Sequence, residues 1–191
     1  MGKIQGITDI FFDLDHTLWD FERNSKLTFQ KIFSELKINI PLEHFIRNYR
    51  PINLSMWKKY RKDLISQEEL RYVRLKKTFE SLNKIIEPKI INEISKLYIE
   101  YLSSYPNLFP GTINVLNELS DRYNLHIITN GFKNIQYKKL ESSGIVNFFK
   151  NVFTSEDFGC KKPHPLIFKK ALEITDTSPS SAIMIGDNLE V

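Results

Sequence analysis

The sequence predicts an α/β protein, a Rossmann-like parallel sheet flanked by helices with an all-helical segment inserted after the first strand. Three observations predict it. Short apolar runs rich in β-branched and aromatic residues occur at 7–12, 125–129, 151–154 and 182–185, as in strands covered on both faces. Helix-period segments separate the last three, and strand–helix alternation implies parallel pairing with right-handed crossovers. From 19 to 107, helical patterns follow one another with no convincing strand. The expected division is a sheet domain of residues 1–18 and 108–191 and a helical domain of residues 19–107.

The first run ends at Asp13-Leu14-Asp15-His16-Thr17-Leu18. Ligands of open parallel sheets bind past the carboxyl ends of strands, so Asp13 and Asp15 stand at a binding edge. Two carboxylates this close repel unless a cation compensates. The plainer alternative is one Asp capping a turn and the other in solvent. In the insert, Phe29, Ile32, Phe33 and Leu36 fall at i, i+3, i+4 and i+7, with Asn39 expected to stop the helix. Leu54, Trp57, Arg61 and Leu64 suggest a second helix beginning after Pro51. Ser66-Gln67-Glu68-Glu69 reads as a capping box opening a third helix to about Asn83. A fourth starts near Pro88, with Ile90, Ile91, Ile94, Leu97, Tyr98, Tyr101 and Leu102 on one stripe.

Beyond the insert, Pro110-Gly111-Thr112 opens a helix carrying Ile113, Leu116 and Leu119. The second strand ends at Thr129-Asn130-Gly131, and the helix of 134–143 is capped by Gly144. Another helix, with Ile167, Phe168, Ala171 and Leu172, follows Pro163-His164-Pro165. The last strand ends at Gly186-Asp187-Asn188.

An apolar fraction of 41% and a charged fraction of 26% over 191 residues are those of a globular protein. The net charge of +4 suits an anionic substrate and equally a solvated lysine-rich surface. No dense basic patch or zinc spacing argues for a nucleic acid polymer, and no apolar run reaches membrane-spanning length. Cys160 is the single cysteine, so no internal disulfide forms, as suits a reducing cytoplasm. The first six residues lead straight into the strand, without room for a signal peptide. A cytoplasmic location is therefore expected.

The strand ends carry Asp13 and Asp15, Thr129 and Asn130, and Asp187, and a loop adds Lys162. In a parallel sheet these ends share one edge. A nucleophile, a second carboxylate, a hydroxyl, a cation and a third carboxylate are what phosphoryl transfer to a carboxylate needs. With these residues the chain resembles the haloacid-dehalogenase-like (HAD) superfamily of phosphohydrolases, along its whole length and in four motifs. They are Asp13-Leu14-Asp15-His16-Thr17, Thr129-Asn130-Gly131, Lys162-Pro163 and Gly186-Asp187.

The resemblance implies a HAD-like core with a helical cap at 19–107 that closes over the site and chooses the substrate. It implies Asp13 as a nucleophile that becomes an aspartyl phosphate, and Asp15 as general acid/base. Thr129, Asn130 and Lys162 would hold the phosphoryl group. The cofactor implied is Mg²⁺, held by Asp13, Asp187 and the backbone carbonyl of Asp15. The flank running from Phe11 to Glu22 is most similar to the YjjG/YfnB-like nucleotidase subgroup, which acts on nucleoside monophosphates. The expected function is a Mg²⁺-dependent phosphatase of small phosphorylated metabolites, nucleoside monophosphates among them. The alternatives are a non-catalytic phosphate-binding or interaction protein, a sugar-phosphate mutase, and a dehalogenase of the same fold. Asp15 argues against the last, because dehalogenases lack the second Asp of the first motif.

Several neighbours have two readings. Lys161 adjoins Lys162, and the position before proline favours Lys162 at the phosphate. Cys160 is an inert loop thiol or one activated by these lysines. His16 is a turn residue or faces substrate. Trp19, Phe21 and Trp57 are packing residues or stack on a nucleobase. Asn188 caps a turn or reaches the metal through water. The family's fourth motif is usually followed by a second acid, more helix and a fifth strand, whereas this sequence stops at Val191 and the spacing of Glu190 does not match that acid. The expectation is a shortened form with an open fourth strand, less stable and less active than a longer one.

Overall fold

The structure, a computed structural model, describes residues 4–189. Four strands form one all-parallel sheet in the order β3-β2-β1-β4: β1 (Asp9–Phe12), β2 (Asn124–Thr129), β3 (Asn151–Thr154) and β4 (Ala182–Ile185). The register sets Phe12 beside Ile127 on one side and Ile185 on the other, and Thr129 beside Thr154. The carboxyl ends therefore share one edge. All four residues of β1 are buried, which is why the run is apolar without alternation. On β4, Met184 and Ile185 are more than a third exposed.

The chain divides into two compact units, one of residues up to Arg23 and from Ser103 on, the other Asn24–Leu102. The breaks fall inside the expected boundaries of 18/19 and 107/108. The connecting segments are stitched to the sheet unit: Trp19 bridges both Asp15 and Leu108. The Asp20 N–H donates to Asn107 O at 3.1 Å, and the Phe109 N–H to Leu18 O at 3.0 Å. Isolated bridges between distant segments leave no periodic signal.

In the sheet unit, α5 (Thr112–Ser120), α6 (Lys133–Ser142), α7 (Ser155–Phe158) and α8 (Pro165–Thr175) join the strands. Gly111 precedes α5 at φ 86° and Gly144 follows α6 at φ 69°, positions that favour glycine. On α5 only Leu116 of the expected apolar trio is buried; Ile113 is exposed. Phe11, Ile128, Phe153, Ile167 and Ala171 form a core cluster. Asp9 and His126 are buried in the same unit, with His126 Nε2 2.9 Å from Asp9 Oδ1. Asn151 Nδ2 lies 3.1 Å from His126 Nδ1, and the Thr8 hydroxyl donates to Asp9 Oδ2 at 2.6 Å. A carboxylate only accepts, so Nε2 carries the ring proton and Nδ1 accepts from Asn151. Burial holds the imidazole below its ordinary value, against the pull of Asp9. Burial also pushes Asp9 up, but the hydrogen bonds from Thr8 and His126 help hold it below the usual carboxylate value.

The other unit is all-helical. Its elements are α2 (Leu42–Arg61), α3 (Gln67–Ser81), α4 (Pro88–Leu102) and most of α1 (Phe21–Glu35). Lys37, at φ 51°, rather than Asn39 ends the first helical stretch in the left-handed region. Contrary to expectation, α2 runs through Pro51 instead of starting after it. The buried stripe Phe45, Ile46, Tyr49, Met56 and Tyr60 spans the proline, and packing of that stripe outweighs the lost backbone bond. Leu54 and Leu64, expected in the core, are exposed. Phe29 packs 4.8 Å from Phe45, 4.7 Å from Tyr49 and 4.7 Å from Tyr98, centroid to centroid. The buried Arg74 guanidinium lies 4.9 Å from the Tyr98 ring and its Nη1 donates to Asn53 Oδ1 at 3.0 Å. The capping box of α3 is formed, Glu69 N–H to Ser66 Oγ at 3.1 Å and Ser66 N–H to Glu69 Oε2 at 2.7 Å. Among the described residues no helix is long and apolar enough to cross a membrane.

Because folding keeps His126 neutral, the unfolded chain binds the extra proton. The stability His126 contributes is present above about pH 6.5 and is lost as pH falls below it toward the folded value. Melting temperature should drop as pH is lowered from 7.5 to 5.5, by about 2–4 °C per kcal/mol lost. His126→Gln should melt lower at pH 7.5 and lose that part of the slope; an unchanged slope would refute the assignment.

Candidate active site

Asp13 follows β1 directly, and its N–H still donates to Ile185 O at 2.8 Å. The carboxylate is thus fixed at the sheet's carboxyl edge. The Leu14 N–H donates to Oδ1 at 2.8 Å, and Lys162 Nζ lies 2.8 Å from Oδ2. Lys162 is fully buried, while the Asp13 side chain keeps 17% of its surface. Burial pushes the Asp13 carboxyl above the usual carboxylate value; Lys162 pulls it back, and the charge of Asp15 adds to the rise. An ammonium carries three protons and this contact engages one, so the others can still reach another oxygen.

Asn130 seats Lys162. Its Nδ2 donates to Lys162 O at 3.0 Å and its Oδ1 accepts the Lys162 N–H at 2.7 Å. The Asn130 side chain thus fastens the end of β2 to the loop that carries Lys162. Thr129 is buried and its Oγ1 accepts the Gly131 N–H at 3.1 Å, which leaves the hydroxyl proton to donate. Lys161 is half-buried, beside its fully buried neighbour.

Asp15 faces different partners. Lys139 Nζ is 2.6 Å from Oδ1, and Gln136 Nε2 donates to Oδ2 at 3.1 Å. The motifs in the sequence did not point to either residue. A signal existed: both are polar yet lie on the buried face of α6 with Ile135 and Leu140, a pattern that packing alone does not favour. Trp19 and Phe21 are buried, and the Lys139 ammonium lies 4.3 Å and 5.6 Å from their ring centres. They are therefore packing residues and not exposed surfaces for a base. Trp57 packs edge-on to Tyr60 in the helical unit. His16 is exposed at φ 65°, its ring 4.9 Å from Phe21. Cys160 packs against the core cluster, Asn188 is half-buried, and Glu190 lies outside the described residues.

Gly186 sits next to Asp13; a Cβ there would meet Asp13 Cβ at 3.5 Å. Asp187 follows, exposed at the same edge. No group of three His, Cys, Asp or Glu that could hold a metal occurs among the described residues. The resemblance would place the ion on the carboxylates of Asp13 and Asp187 and on the Asp15 carbonyl. These are hard oxygen donors, and too few to complete a shell. That set fits Mg²⁺, which keeps waters and substrate phosphate as ligands, better than zinc, which favours nitrogen and sulfur.

The profile of the haloacid dehalogenase-like hydrolase family matches residues 10–190. The HAD-hydrolase YfnB of Bacillus subtilis is 30% identical over 187 residues, covering 94% of this chain and 75% of its own. The pyrimidine 5'-nucleotidase YjjG of Escherichia coli is 32% identical over 182 residues, covering 95% of this chain and 77% of its own. The crystal structure of YfnB bound to magnesium superposes with a TM-score of 0.87 at 26% identity, over 96% of this chain and 81% of that one. The L-2-haloacid dehalogenase from Xanthobacter autotrophicus has a TM-score of 0.70 at 16% identity, over 93% of this chain and 69% of that one, a likeness of fold alone.

Lys162 holds Asp13 down against burial, so Lys162→Met should move the Asp13 titration further up in pH. Carboxyl ¹³C shifts of the metal-free protein report it directly. A midpoint at or below the wild-type value would show that the ammonium does not set the charge of Asp13.

Proposed function

The chain belongs to the haloacid dehalogenase-like hydrolase family, and from that premise we propose that it is a Mg²⁺-dependent phosphatase acting on small phosphomonoesters through an aspartyl phosphate on Asp13. The substrate class we propose is nucleoside 5'-monophosphates, supported by the likeness to YjjG and to the pyrimidine 5'-nucleotidase PynA of Streptococcus pneumoniae. The observation that carries the reading is the Asp13–Lys162 pair, 2.8 Å apart at the end of an inner strand. A buried carboxylate with one face open beside a buried ammonium is a nucleophile beside a phosphoryl clamp.

In this mechanism Lys162 and the Thr129 hydroxyl bind the non-bridging oxygens and offset their charge. An Asp13 oxygen attacks phosphorus as the ester P–O bond breaks. Asp15 hands a proton to the departing alkoxide, then takes one from the water that attacks the phosphoaspartate. Phosphate leaves and Asp13 is regenerated. Asp13, Asp187 and the Asp15 carbonyl would hold Mg²⁺, whose charge offsets that of the phosphoryl group. The helical segment of 19–107 is assigned to substrate selection. A metabolite substrate agrees with a single cysteine and with a location in a reducing cytoplasm.

Phosphate release from 4-nitrophenyl phosphate and from a panel of nucleoside monophosphates and sugar phosphates tests the reading. Activity should need Mg²⁺ and vanish in EDTA. Asp13→Asn should lower kcat about 1,000-fold or more. Asp187→Asn should raise the Mg²⁺ concentration for half-maximal rate by about 10-fold or more. Metal-independent turnover or full activity in Asp13→Asn would overturn it. Phosphate transferred without net release would make the protein a mutase, and halide release from a haloacid a dehalogenase.

A further inference from the structure

Asp15 is held at both oxygens by one helix. Lys139 Nζ lies 2.6 Å from Oδ1 and Gln136 Nε2 donates to Oδ2 at 3.1 Å. The two residues are one turn apart on α6 and share a face. Both are at least 98% buried. A buried lysine is costly unless its charge is met, and among the described residues Asp15 is its ion-pair partner. The faces of Trp19 and Phe21 complete its surroundings. Gln136 is seated as tightly. A Cβ on Gly131 would come within 1.7 Å of its Nε2, so only glycine admits the amide there. Its Oε1 is buried with no hydrogen-bond partner. Burying that acceptor costs stability, and the contact it accompanies is the one to Asp15.

We propose that Lys139 and Gln136 are positioning residues that fix the rotation of the Asp15 carboxylate for proton transfer. The inference rests on the phosphatase reading above and adds a distinct demand. A carboxylate free to turn about two bonds spends little time aimed at the leaving oxygen, whereas one tied at both oxygens is oriented beforehand. The ties matter only where a proton must move. An alkoxide leaving group needs that proton as the ester bond breaks; 4-nitrophenolate departs as a stable anion without it. Losing the clamp therefore slows alkyl esters and spares the aryl ester, a difference that general damage to the fold does not produce.

The test measures kcat/KM, which reports formation of the phosphoenzyme, for 4-nitrophenyl phosphate and for the most reactive alkyl phosphate of the panel. Lys139→Met and Gln136→Leu should each lose about 10-fold or more on the alkyl ester and less than about a third of that factor on the aryl ester. Lys139→Arg should recover most of the loss. Gly131→Ala, which displaces the Gln136 amide, should reproduce Gln136→Leu and carries the test if Lys139→Met does not fold. Equal losses on both esters, or no loss on either, with a wild type that releases phosphate, would overturn the clamp and leave the phosphatase reading standing. A wild type that releases no phosphate from any ester would overturn both.

Discussion

The pairing of Asp13 with Lys162 is the constraint the site is built around. Opposite charges taken out of water persist only when they meet each other and their remaining polar groups are engaged. Each neighbour serves that end. β1 is buried along its length and delivers Asp13 to the sheet edge. The Asn130 amide bolts the Lys162 backbone to the end of β2. Gly186 leaves room beside Asp13 on the third strand end. The pair is met on its protein side, and Asp13 keeps part of its surface open on the other, as the proposed attack on a phosphoryl group would need.

Asp13 and Asp15 lie two residues apart yet experience different fields. Asp13 is the more buried, and burial lifts its proton affinity against Lys162. Asp15 keeps more surface and answers to a different lysine on a different helix. One lysine arrives on a loop after β3 and the other on α6 after β2. Each carboxylate thus has its own cation, and the proposed mechanism asks a different task of each, attack of Asp13 and proton transfer of Asp15.

How far the sequence could be read depends on the range of the interaction involved. The strands were visible because burial on both faces writes an unbroken apolar run into consecutive residues. The capping box at Ser66 was visible because both of its bonds span three positions. Pro51 was misleading: its local rule favours a helix start, but the stripe from Phe45 to Tyr60 packs regardless. Trp19 and Phe21 read equally well as ring surfaces for a base or as packing. Only the placement of Lys139 against them settles that they are buried.

Local patterning thus carries the order of strands and helices and the chemical inventory of the sheet edge, because each is encoded within a few neighbouring residues. The pairing of that inventory is not. Asp15 meets Lys139 across 124 positions, and Asn130 meets Lys162 across 32. No periodicity spans such distances. The three-dimensional fold alone sorted the two lysines between the two carboxylates, tied the Asn130 amide to the Lys162 backbone, and put Gln136 over Gly131. Side chains find these partners only when the sheet closes, because burying a charge is tolerable only where an opposite one is already in place.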